Sequence, residues 1–494
     1  MQTLLTSAQM RETDAYTIEQ LKISSLKLME KAAKAFVKSF KKEVEDKTIR
    51  IAVLCGPGNN GGDGLAIARL LADEQYEDIK VYVIDFSAQQ SDDFKENLIR
   101  LSKTKTPIVK ITDVGQLELQ ADLIIDAIFG SGLDRPLSGK YLDVITTVNE
   151  LNLKVIAVDV PSGFNAEGAI LKDYKGIRAD LVISFQRPKI NFFFPESSKA
   201  LDRFKVIDIN LDEGFIEGQK SNWKLTDKND VENILKKRKN FSHKGTYGHV
   251  LMVAGNITTM GAALLSASAC LHAGAGLTTV CLPQSGLIAL NATLPEVMAL
   301  PRSQDLTPEI LERFNVIAIG SGLGVDEEEI LTKVIHLNKP LVIDADALTM
   351  LSKRRDLLDQ LPVESILTPH MKEFDRIFGN HEYWWDRVET ARKEAMARQL
   401  IIVLKNQYTF ICLTTGEVRI NQTGNPAMAS GGMGDVLTGI IAALLAQSYT
   451  AQEAVILATY LHGKAGDQLA KENFVVTASQ VAAEIPKVMK KLSD

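Results

Sequence analysis

Asp63 and Asp435 each sit within a run of glycines. Asn59-Asn60-Gly61-Gly62-Asp63-Gly64 follows an apolar run that ends at Cys55, and Ser430-Gly431-Gly432-Met433-Gly434-Asp435 precedes another. Both read as loops, in which glycine lets backbone N–H groups approach an anion closely. A carboxylate in such a loop repels a phosphate unless it grips a sugar hydroxyl, shares its charge with a cation, or takes a proton from an attacking hydroxyl. The pairing therefore points to two sites doing chemistry near phosphates.

In the first half, Gly56, Gly58 and Gly61 satisfy G-x-G-x-x-G after a strand, and Asp85 ends the next strand. That is the dinucleotide fingerprint, and it equally describes a tight turn with no ligand. Two more aspartates close strands, Asp126 after Leu123-Ile124-Ile125 and Asp159 after Ile156-Ala157-Val158. Either one alone reads as well as a turn former. Three acidic loops on one sheet edge read as a binding edge, because ligands of open α/β sheets bind there. Gly130-Ser131-Gly132-Leu133-Asp134-Arg135-Pro136 follows Asp126 and offers an arginine suited to phosphate, while Val160-Pro161-Ser162-Gly163 follows Asp159.

In the second half, Asp435 stands just inside a glycine-opened helix, which aims N–H groups and the helix dipole at an anion. Its companions are Gly320-Ser321-Gly322-Leu323-Gly324, Thr368-Pro369-His370-Met371-Lys372-Glu373, Lys405 at a strand end, and Gly424-Asn425-Pro426. None of the seven histidines falls in a compact cluster suited to a transition metal. His370 reads equally as a group orienting substrate or backbone and as a titrating one.

These residues need elements to hold them. Leu21, Leu26, Leu28, Ala32, Ala35 and Phe36 recur at mixed three- and four-residue steps, which predicts two helices over 6–43 with Thr6 as an N-cap. Short β-branched runs follow at Arg50–Leu54, Lys80–Ile84, Asp122–Ile128, Lys154–Val158, Leu181–Ser184 and Phe204–Ile207. Apolar strands interleaved with amphipathic segments predict a parallel sheet covered on both faces. The polar, broken stretch 211–230 reads as a linker. A second series runs through Val250–Ala254, Leu277–Cys281, Val316–Ile319, Leu341–Ile343, Ile366–Leu367 and Ile401–Leu404. Phe410–Leu413 and Glu417–Ile420 read as a hairpin, and the tail from Gly434 as helical.

Composition sets outer limits. A chain of 494 residues exceeds one ordinary core, so two domains are expected. Hydrophobic residues at 45% and charged residues at 24% are ordinary globular proportions, and a net charge of −6 lacks the basic excess of nucleic-acid or anionic-membrane binders. Lys236-Lys237-Arg238-Lys239 is a dense cationic run that reads as a solvated helix end. Cys55, Cys270, Cys281 and Cys412 lie among small and apolar residues with no C-x-x-C pair, which predicts buried free thiols in a reducing compartment. The N-terminus lacks an export pattern, and Val436–Ala446 falls short of the ~18 apolar residues of a membrane span. The expectation is a soluble cytoplasmic protein with neither nucleic-acid nor membrane partners.

With the motifs in place, residues 1–215 resemble the epimerase domain of the bifunctional NAD(P)H-hydrate repair enzymes. Residues 225–494 resemble the NAD(P)H-hydrate dehydratase branch of the ribokinase-like fold, a likeness that includes Lys244-Gly245-Thr246-Tyr247-Gly248, Gly261-Ala262-Ala263 and Ala273-Gly274-Ala275-Gly276-Leu277. The resemblance implies an α/β chain with a Rossmann-like doubly wound sheet followed by a ribokinase-like α/β domain. It further implies that Asn59, Asn60, Gly61, Gly62 and Asp63, with Gly130, Ser131, Gly132, Leu133, Asp134, Arg135, Pro136 and Asp159, hold the hydrated dinucleotide. By the same resemblance Asn60, Asp126 and Ser162 surround a potassium ion, and Asp159 is the acid/base candidate. Asn165 stands where such sequences often carry Asp and is given no role.

For the second half, the resemblance assigns nucleotide binding to Lys405, Asn406, Gln407, Tyr408 and Thr409. It extends that role to Asn425, Pro426, Ala427, Met428, Ala429, Ser430, Gly431, Gly432, Met433 and Gly434. Hydrated dinucleotide falls to Ala262, Gly322, His370, Met371, Lys372, Glu373, Phe374, Asp375 and Arg376, and Asp435 is the base. Met433 departs from the small hydroxyl residue common at its position. Mg²⁺ is implied, with ADP as nucleotide in prokaryotic members and ATP in eukaryotic ones; the fused architecture favours ADP. The implied activity is to interconvert the R and S forms of hydrated NADH and NADPH and to dehydrate the S form, splitting ADP to AMP and phosphate. Both families commonly form homo-oligomers. The competing reading is a ribokinase-like small-molecule kinase fused to a non-catalytic nucleotide-sensing or protein-binding module.

Overall fold

The structure, a computed structural model, describes residues 2–86, 89–132, 137–303 and 306–493. The chain divides into two compact units, one built mainly on Thr3–Ser221 and the other mainly on Asn222–Glu382 and Asp386–Asp494.

In the first unit, Thr6 caps the helix Ser7–Leu21, with Gln9 returning the bond to complete a capping box. The strands Arg50–Cys55 (β1), Asp78–Ile84 (β2), Ile108–Ile111 (β3), Leu123–Ala127 (β4), Lys154–Val158 (β5), Ala179–Phe185 (β6) and Leu201–Ile207 (β7) follow. They lie in the order β3-β2-β1-β4-β5-β6-β7, every neighbour parallel. Ile51, Val53 and Cys55 alternate along β1 and share one core cluster with the helices Ser25–Phe40 and Asn59–Asp73. The strand order reverses between β1 and β4, so their C-terminal ends flank a crevice, the usual ligand position in an open parallel sheet.

The first glycine run is not a loop. Asn59–Gly64 forms the opening turns of the helix Asn59–Asp73, with Gly58 as an N-cap that has no side-chain bond. The first-turn N–H groups are therefore left to a ligand or solvent. Three glycines serve close packing: a Cβ on Gly61 would stand 1.7 Å from the Gly56 carbonyl oxygen, one on Gly56 2.0 Å from that of Ile128, and one on Gly64 2.6 Å from Ala127 Cβ. Gly61→Ala is accordingly expected to destabilise this unit toward the top of the ~1–3 kcal/mol typical of overpacking. Thermal unfolding of the full chain checks it; an unmoved melting profile would show that the turn has slack.

In the second unit the strands are Trp223–Leu225 (β8), His249–Val253 (β9), Leu277–Leu282 (β10), Met298–Pro301 (β11), Val316–Ile319 (β12), Leu341–Ile343 (β13), Ile366–Leu367 (β14), Ile401–Leu404 (β15), Thr409–Cys412 (β16) and Val418–Asn421 (β17). Their order is β8-β17-β16-β15-β14-β13-β12-β9-β10-β11. From β15 to β11 every pairing is parallel, and β15-β16-β17 is an antiparallel meander that includes the expected hairpin. Val250 and Met252 of β9 pack on one side with the helices Met260–His272, Met433–Ala446, Ala451–Leu469 and Ala478–Ser493. Leu251 and Val253 pack on the other with Glu328–His336 and Ala345–Lys353. Period-two burial on both faces is what a continuous apolar strand in a parallel sheet requires.

The stretch 211–230 does carry the passage from one unit to the other, at Ser221–Asn222, but it is structured rather than broken. It holds a helix, Glu213–Gly218, capped by Asp212, then β8, then the start of the helix Lys228–Ile234. Ile216 is fully buried, and β8 pairs with β17 in the register Trp223↔Val418. The short helix follows no long apolar period, and β8 draws its stability from a partner almost two hundred positions away, so neither leaves a local signal. The basic run lies beyond the end of the helix Lys228–Ile234, with Lys236 Nζ 4.2 Å from the Tyr449 ring centre and the Arg238 guanidinium 3.9 Å from that of Tyr247. All four cysteines are buried and free. Among the described residues no helix is long and apolar enough to cross a membrane.

Candidate active sites

At the crevice between β1 and β4 a cavity of about 470 Å³ is lined by Asn59, Asn60, Asp63, Gly130, Ser131, Gly132 and Asp159, together with Arg11 and Asp14 from the first helix and Lys189 from the segment after β6. Leu133, Asp134, Arg135 and Pro136 lie outside the described residues. Asp159 is the chemical centre. Its φ of 64° is left-handed, a conformation that costs a residue other than glycine on the order of 1–3 kcal/mol and recurs at functional sites. Its Oδ1 accepts from Lys189 Nζ at 2.7 Å, from the Ser184 hydroxyl at 3.1 Å and from the Phe185 N–H at 3.1 Å. Lys189 is buried, so this pair is a charge couple shielded from water.

Further carboxylates face the pair. Burial pushes Asp14 up to about 6, with Lys189 pulling it down and Asp159 adding to the rise. Burial, then the charges of Asp159, Asp14 and Asp93, hold Asp63 well above the usual carboxylate range. The cavity therefore sets two carboxyls that hold their protons above the usual carboxylate range beside the Asp159–Lys189 ion pair.

Asp126 and Ser162 meet below the cavity, both fully buried. Ser162 donates its N–H to Asp126 Oδ2 at 2.7 Å and its hydroxyl to Oδ1 at 2.6 Å, and Ile128 N–H donates to Oδ1 at 3.2 Å. Burial pushes Asp126 up to about 6 against these bonds, and among the described residues no basic side chain is one of the groups acting on it. Asn60 is buried with its Nδ2 unpartnered among the described residues. Because the amide ends of Asn are interchangeable in assignment, that buried position serves as well for a carbonyl oxygen. Hard oxygens and an uncompensated buried carboxylate suit an oxygen-ligated cation such as potassium.

The second site lies along the C-terminal ends of β12 to β15. Gly320, with φ of 125°, follows β12, and a Cβ there would stand 1.9 Å from the Asp344 carbonyl oxygen. Asp344 follows β13 and is buried; its Oδ1 accepts from Lys405 Nζ at 2.7 Å and its Oδ2 from the Thr438 hydroxyl at 2.9 Å. Burial pushes Asp344 up, but the Lys405 charge and hydroxyls of Thr368 and Thr438 outweigh it and hold the carboxyl below its ordinary value. Burial, then the neighbouring Asp344 charge, pushes Asp435 up to about 6. Asp435 belongs to the first turn of the helix Met433–Ala446, whose N-cap, Gly432 at φ 90°, makes no side-chain cap bond. The second glycine run thus also passes into a helix, leaving its N–H groups directed at an anion. A Cβ on Gly434 would stand 3.2 Å from Lys405 Nζ, so the glycine keeps the backbone close to that ammonium.

His370 caps the helix Met371–Phe378, its Nδ1 accepting from the N–H groups of Lys372 and Glu373, while Glu373 accepts the His370 N–H. Phe374 is buried and Asp375 binds Arg387 at 2.7 Å and His381 at 3.0 Å, so these two side chains serve the packing of the helix. Met371, Lys372 and Arg376 are exposed. Gly322, at φ 57°, packs against Ala262 and receives the Thr259 hydroxyl on its carbonyl at 2.7 Å. Beside Lys405 a second cavity of about 380 Å³ is lined by Asn406, Gln407, Thr409, Asn425, Pro426, Met428, Ala429, Met433 and Gly434, with His462 from the helix Ala451–Leu469. Gly431 and Gly432, and with them Ser430, Ala427 and Tyr408, are not among its lining residues.

Asp14, Lys189, Asp344 and His462 are site residues that the motif reading missed. Asp344 carried a signal, being an acidic residue directly after the apolar run Leu341–Ile343, like Asp126 and Asp159. Asp14 and His462 lie inside helical stretches, where only the folded packing shows which face meets a cavity.

Two α/β units, each with a carboxylate poised at the ligand-binding edge of a parallel sheet, define a two-site enzyme for phosphate-bearing ligands. Residues 250–487 match the family described as NAD(P)H-hydrate dehydratase, and residues 25–191 match that described as YjeF-related protein N-terminus. The chain is 34% identical to the bifunctional NAD(P)H-hydrate repair enzyme of Moorella thermoacetica, over 99% of this chain and 97% of that protein. It is 34% identical to the enzyme of the same name from Thermofilum pendens, over 90% and 88%. A ribokinase-like superfamily protein from Enterococcus faecalis is 33% identical, with a TM-score of 0.52 over 56% of this chain and 98% of its own. The chain belongs to the bifunctional NAD(P)H-hydrate repair enzyme family.

Proposed function

We infer that this chain restores hydrated NADH and NADPH, epimerising them in a domain spanning residues 1–215 and dehydrating the S form in a domain spanning 225–494. The observation that carries this reading is similarity along nearly the whole chain to a bifunctional NAD(P)H-hydrate repair enzyme, joined to a cavity lined by Asp159 in the first unit and, in the second, to a cavity lined by Gly434, the residue before Asp435.

In the first site the Asp159–Lys189 couple supplies the proton. Hydrated nicotinamide carries its hydroxyl on the ring carbon beside nitrogen. Protonating that hydroxyl lets water leave, with the nitrogen lone pair supplying electrons; readdition from the other face inverts the centre and returns the proton. Asp14, which keeps its proton to about pH 6, is a neighbouring store. Asn60, Asp126 and Ser162 would hold potassium, and the ion would supply fixed positive charge to the site.

In the second site Asp435 takes the ring hydroxyl's proton as that oxygen attacks the terminal phosphoryl group of ADP. AMP leaves, the ring phosphate ester departs as phosphate, and loss of the neighbouring ring proton restores the dihydropyridine. The helix N-terminus at Met433 and Lys405 face the phosphates. Among the described residues no cluster of three acidic, His or Cys side chains is set to hold a metal. Mg²⁺ therefore fits as an ion carried by the nucleotide, neutralising charge on the transferred group.

The test is to add the protein to both epimers of hydrated NADH with ADP or ATP and Mg²⁺, in potassium or tetramethylammonium buffer, and follow NADH absorbance. Full recovery is expected with ADP in potassium, and slower consumption of one epimer without potassium. No recovery with either nucleotide, or a stable phosphorylated product, overturns the reading.

A further inference from the structure

The first helix, Ser7–Leu21, turns one face toward the cavity that holds Asp159. Ser7, Met10, Arg11 and Asp14 all line that cavity, and they occupy positions i, i+3, i+4 and i+7, a single stripe of an α-helix. The rest of the helix is fixed in place. Thr13 and Thr17 are buried, the Thr17 hydroxyl accepts the Asp212 N–H at 3.1 Å, and Tyr16 stacks on Phe215 with ring centres 4.1 Å apart. At the helix start the Ser7 N–H and hydroxyl both donate to the Glu167 carboxylate, at 3.1 and 3.0 Å. Arg11 is therefore presented to the cavity from an element tied down on either side of it.

The charges around this cavity are unevenly committed. Its described lining carries the carboxyls of Asp14, Asp63 and Asp159 and two cations, Lys189 and Arg11. Lys189 is buried and bound to Asp159 at 2.7 Å. Arg11 is exposed and forms no ion pair among the described residues, and Asp14, on the same helix face, answers to Lys189 and Asp159 rather than to it. Arg11 Nη1 stands 3.8 Å from where a Cβ of Gly132 would lie, so the guanidinium reaches the glycine run Gly130–Gly132. A Cβ on Gly130 would in turn stand 3.3 Å from Asn60 Cβ, at the start of the helix Asn59–Asp73, whose N-cap makes no side-chain bond. An unpaired guanidinium, close glycine backbone and open helix N–H groups thus meet on one side of the cavity, and each is a phosphate-binding device.

We propose that Arg11 is a substrate-binding residue of the first site, its guanidinium pairing with the pyrophosphate bridge of the hydrated dinucleotide. This rests on reading the cavity as the hydrated-dinucleotide site, and it names what holds the anionic part of that substrate. The reacting ring belongs at the Asp159–Lys189 couple, and the pyrophosphate lies one ribose away from the ring. An anion entering among three carboxyls needs a cation that is not already paired, and Arg11 is that cation.

The experiment follows conversion of the R form of hydrated NADH to the S form by chromatography, without added nucleotide so that the second site is idle, in the wild-type chain, Arg11→Gln and Arg11→Lys. Arg11→Gln is expected to raise KM about tenfold with kcat unchanged, the size of a charge-assisted hydrogen bond, and to flatten the rise of KM with salt. Arg11→Lys, which keeps the charge, should recover part of the loss. Hydrated NADPH should respond by the same factor, because it shares the pyrophosphate. ADP-ribose, which carries the pyrophosphate without the ring, should lose affinity to the same extent in calorimetry, the difference between wild type and Arg11→Gln isolating the first site. Unchanged KM and unchanged ADP-ribose affinity would show a solvated arginine and overturn the proposal. So would a fall in kcat alone, which would place Arg11 on the Asp159 couple, and an effect confined to hydrated NADPH, which would place it on the 2′-phosphate. Absence of any conversion in the wild type is a separate result: it overturns the epimerase reading itself, while the ADP-ribose comparison still tests the arginine.

Discussion

Asp435→Asn is expected to stop NADH recovery from either epimer and, at pH 8, to leave the protein more resistant to heat than the wild type. The first effect follows from removing the group proposed to take the hydroxyl proton; general-base help alone is worth about 10²–10⁴-fold, and phosphoryl transfer to a neutral hydroxyl is slower still. The second follows from linkage. Burial and Asp344 raise Asp435 from 3.8 to about 6 in the fold. A raised folded value means the fold favours the protonated form, so stability is fully present below the unfolded value and is lost as pH rises through the folded one. At pH 8 the ionised carboxylate therefore costs at most about 3 kcal/mol, which the uncharged amide avoids. The difference in melting temperature should narrow as pH falls from 6 to 4. In the wild type, kcat/KM should climb through a limb near pH 6 as Asp435 ionises. Turnover within tenfold of wild type in Asp435→Asn would show that the base lies elsewhere.

Most of the parallel strands were readable from sequence because burial on both faces writes an uninterrupted apolar run, whereas the edge strand β7, with Leu201 alone buried, showed only its end, Phe204–Ile207. β3 and β11 were not, since each is a four-residue edge strand, and β8 was hidden in a polar stretch. The strand-end aspartates Asp126 and Asp159 were found by position in the pattern. What they do could not be read there, because Asp126 is defined by Ser162 and Asp159 by Lys189, partners from other parts of the chain: Ser162 follows β5 and Lys189 follows β6. The glycines mark both sites, yet their sequence does not distinguish a loop from a helix start. That distinction rests on distances such as the 1.7 Å that a Gly61 Cβ would leave to Gly56. His370 shows the reverse case, a histidine at a motif whose Nδ1 is already committed to capping a helix.

Asp159→Asn is expected to split NADH recovery from a mixed-epimer sample into two phases. The S form should be consumed at the wild-type rate, because the second site is untouched, and the R form only at the rate of spontaneous epimerisation. Asparagine is the informative substitution, since it tolerates the left-handed φ of 64° almost as well as aspartate and keeps the side-chain shape. The loss is assigned to charge by a companion variant. Lys189→Met removes the ammonium that lies 2.7 Å from Asp159 and should depress epimerisation by a comparable ~10²–10⁴-fold. If the couple works as a unit, Asp159→Asn with Lys189→Met should be scarcely slower than either alone, whereas two independent roles would multiply. The stability consequences differ in a useful way. Asp159→Asn leaves a buried lysine with Asp14 as a remaining carboxylate neighbour, so its destabilisation should stay below the ~3–5 kcal/mol of a buried charge left wholly unpaired. Adding Asp14→Asn takes that neighbour away and should deepen it. Full epimerase activity in Lys189→Met would leave Asp159 acting alone and remove the couple from the mechanism.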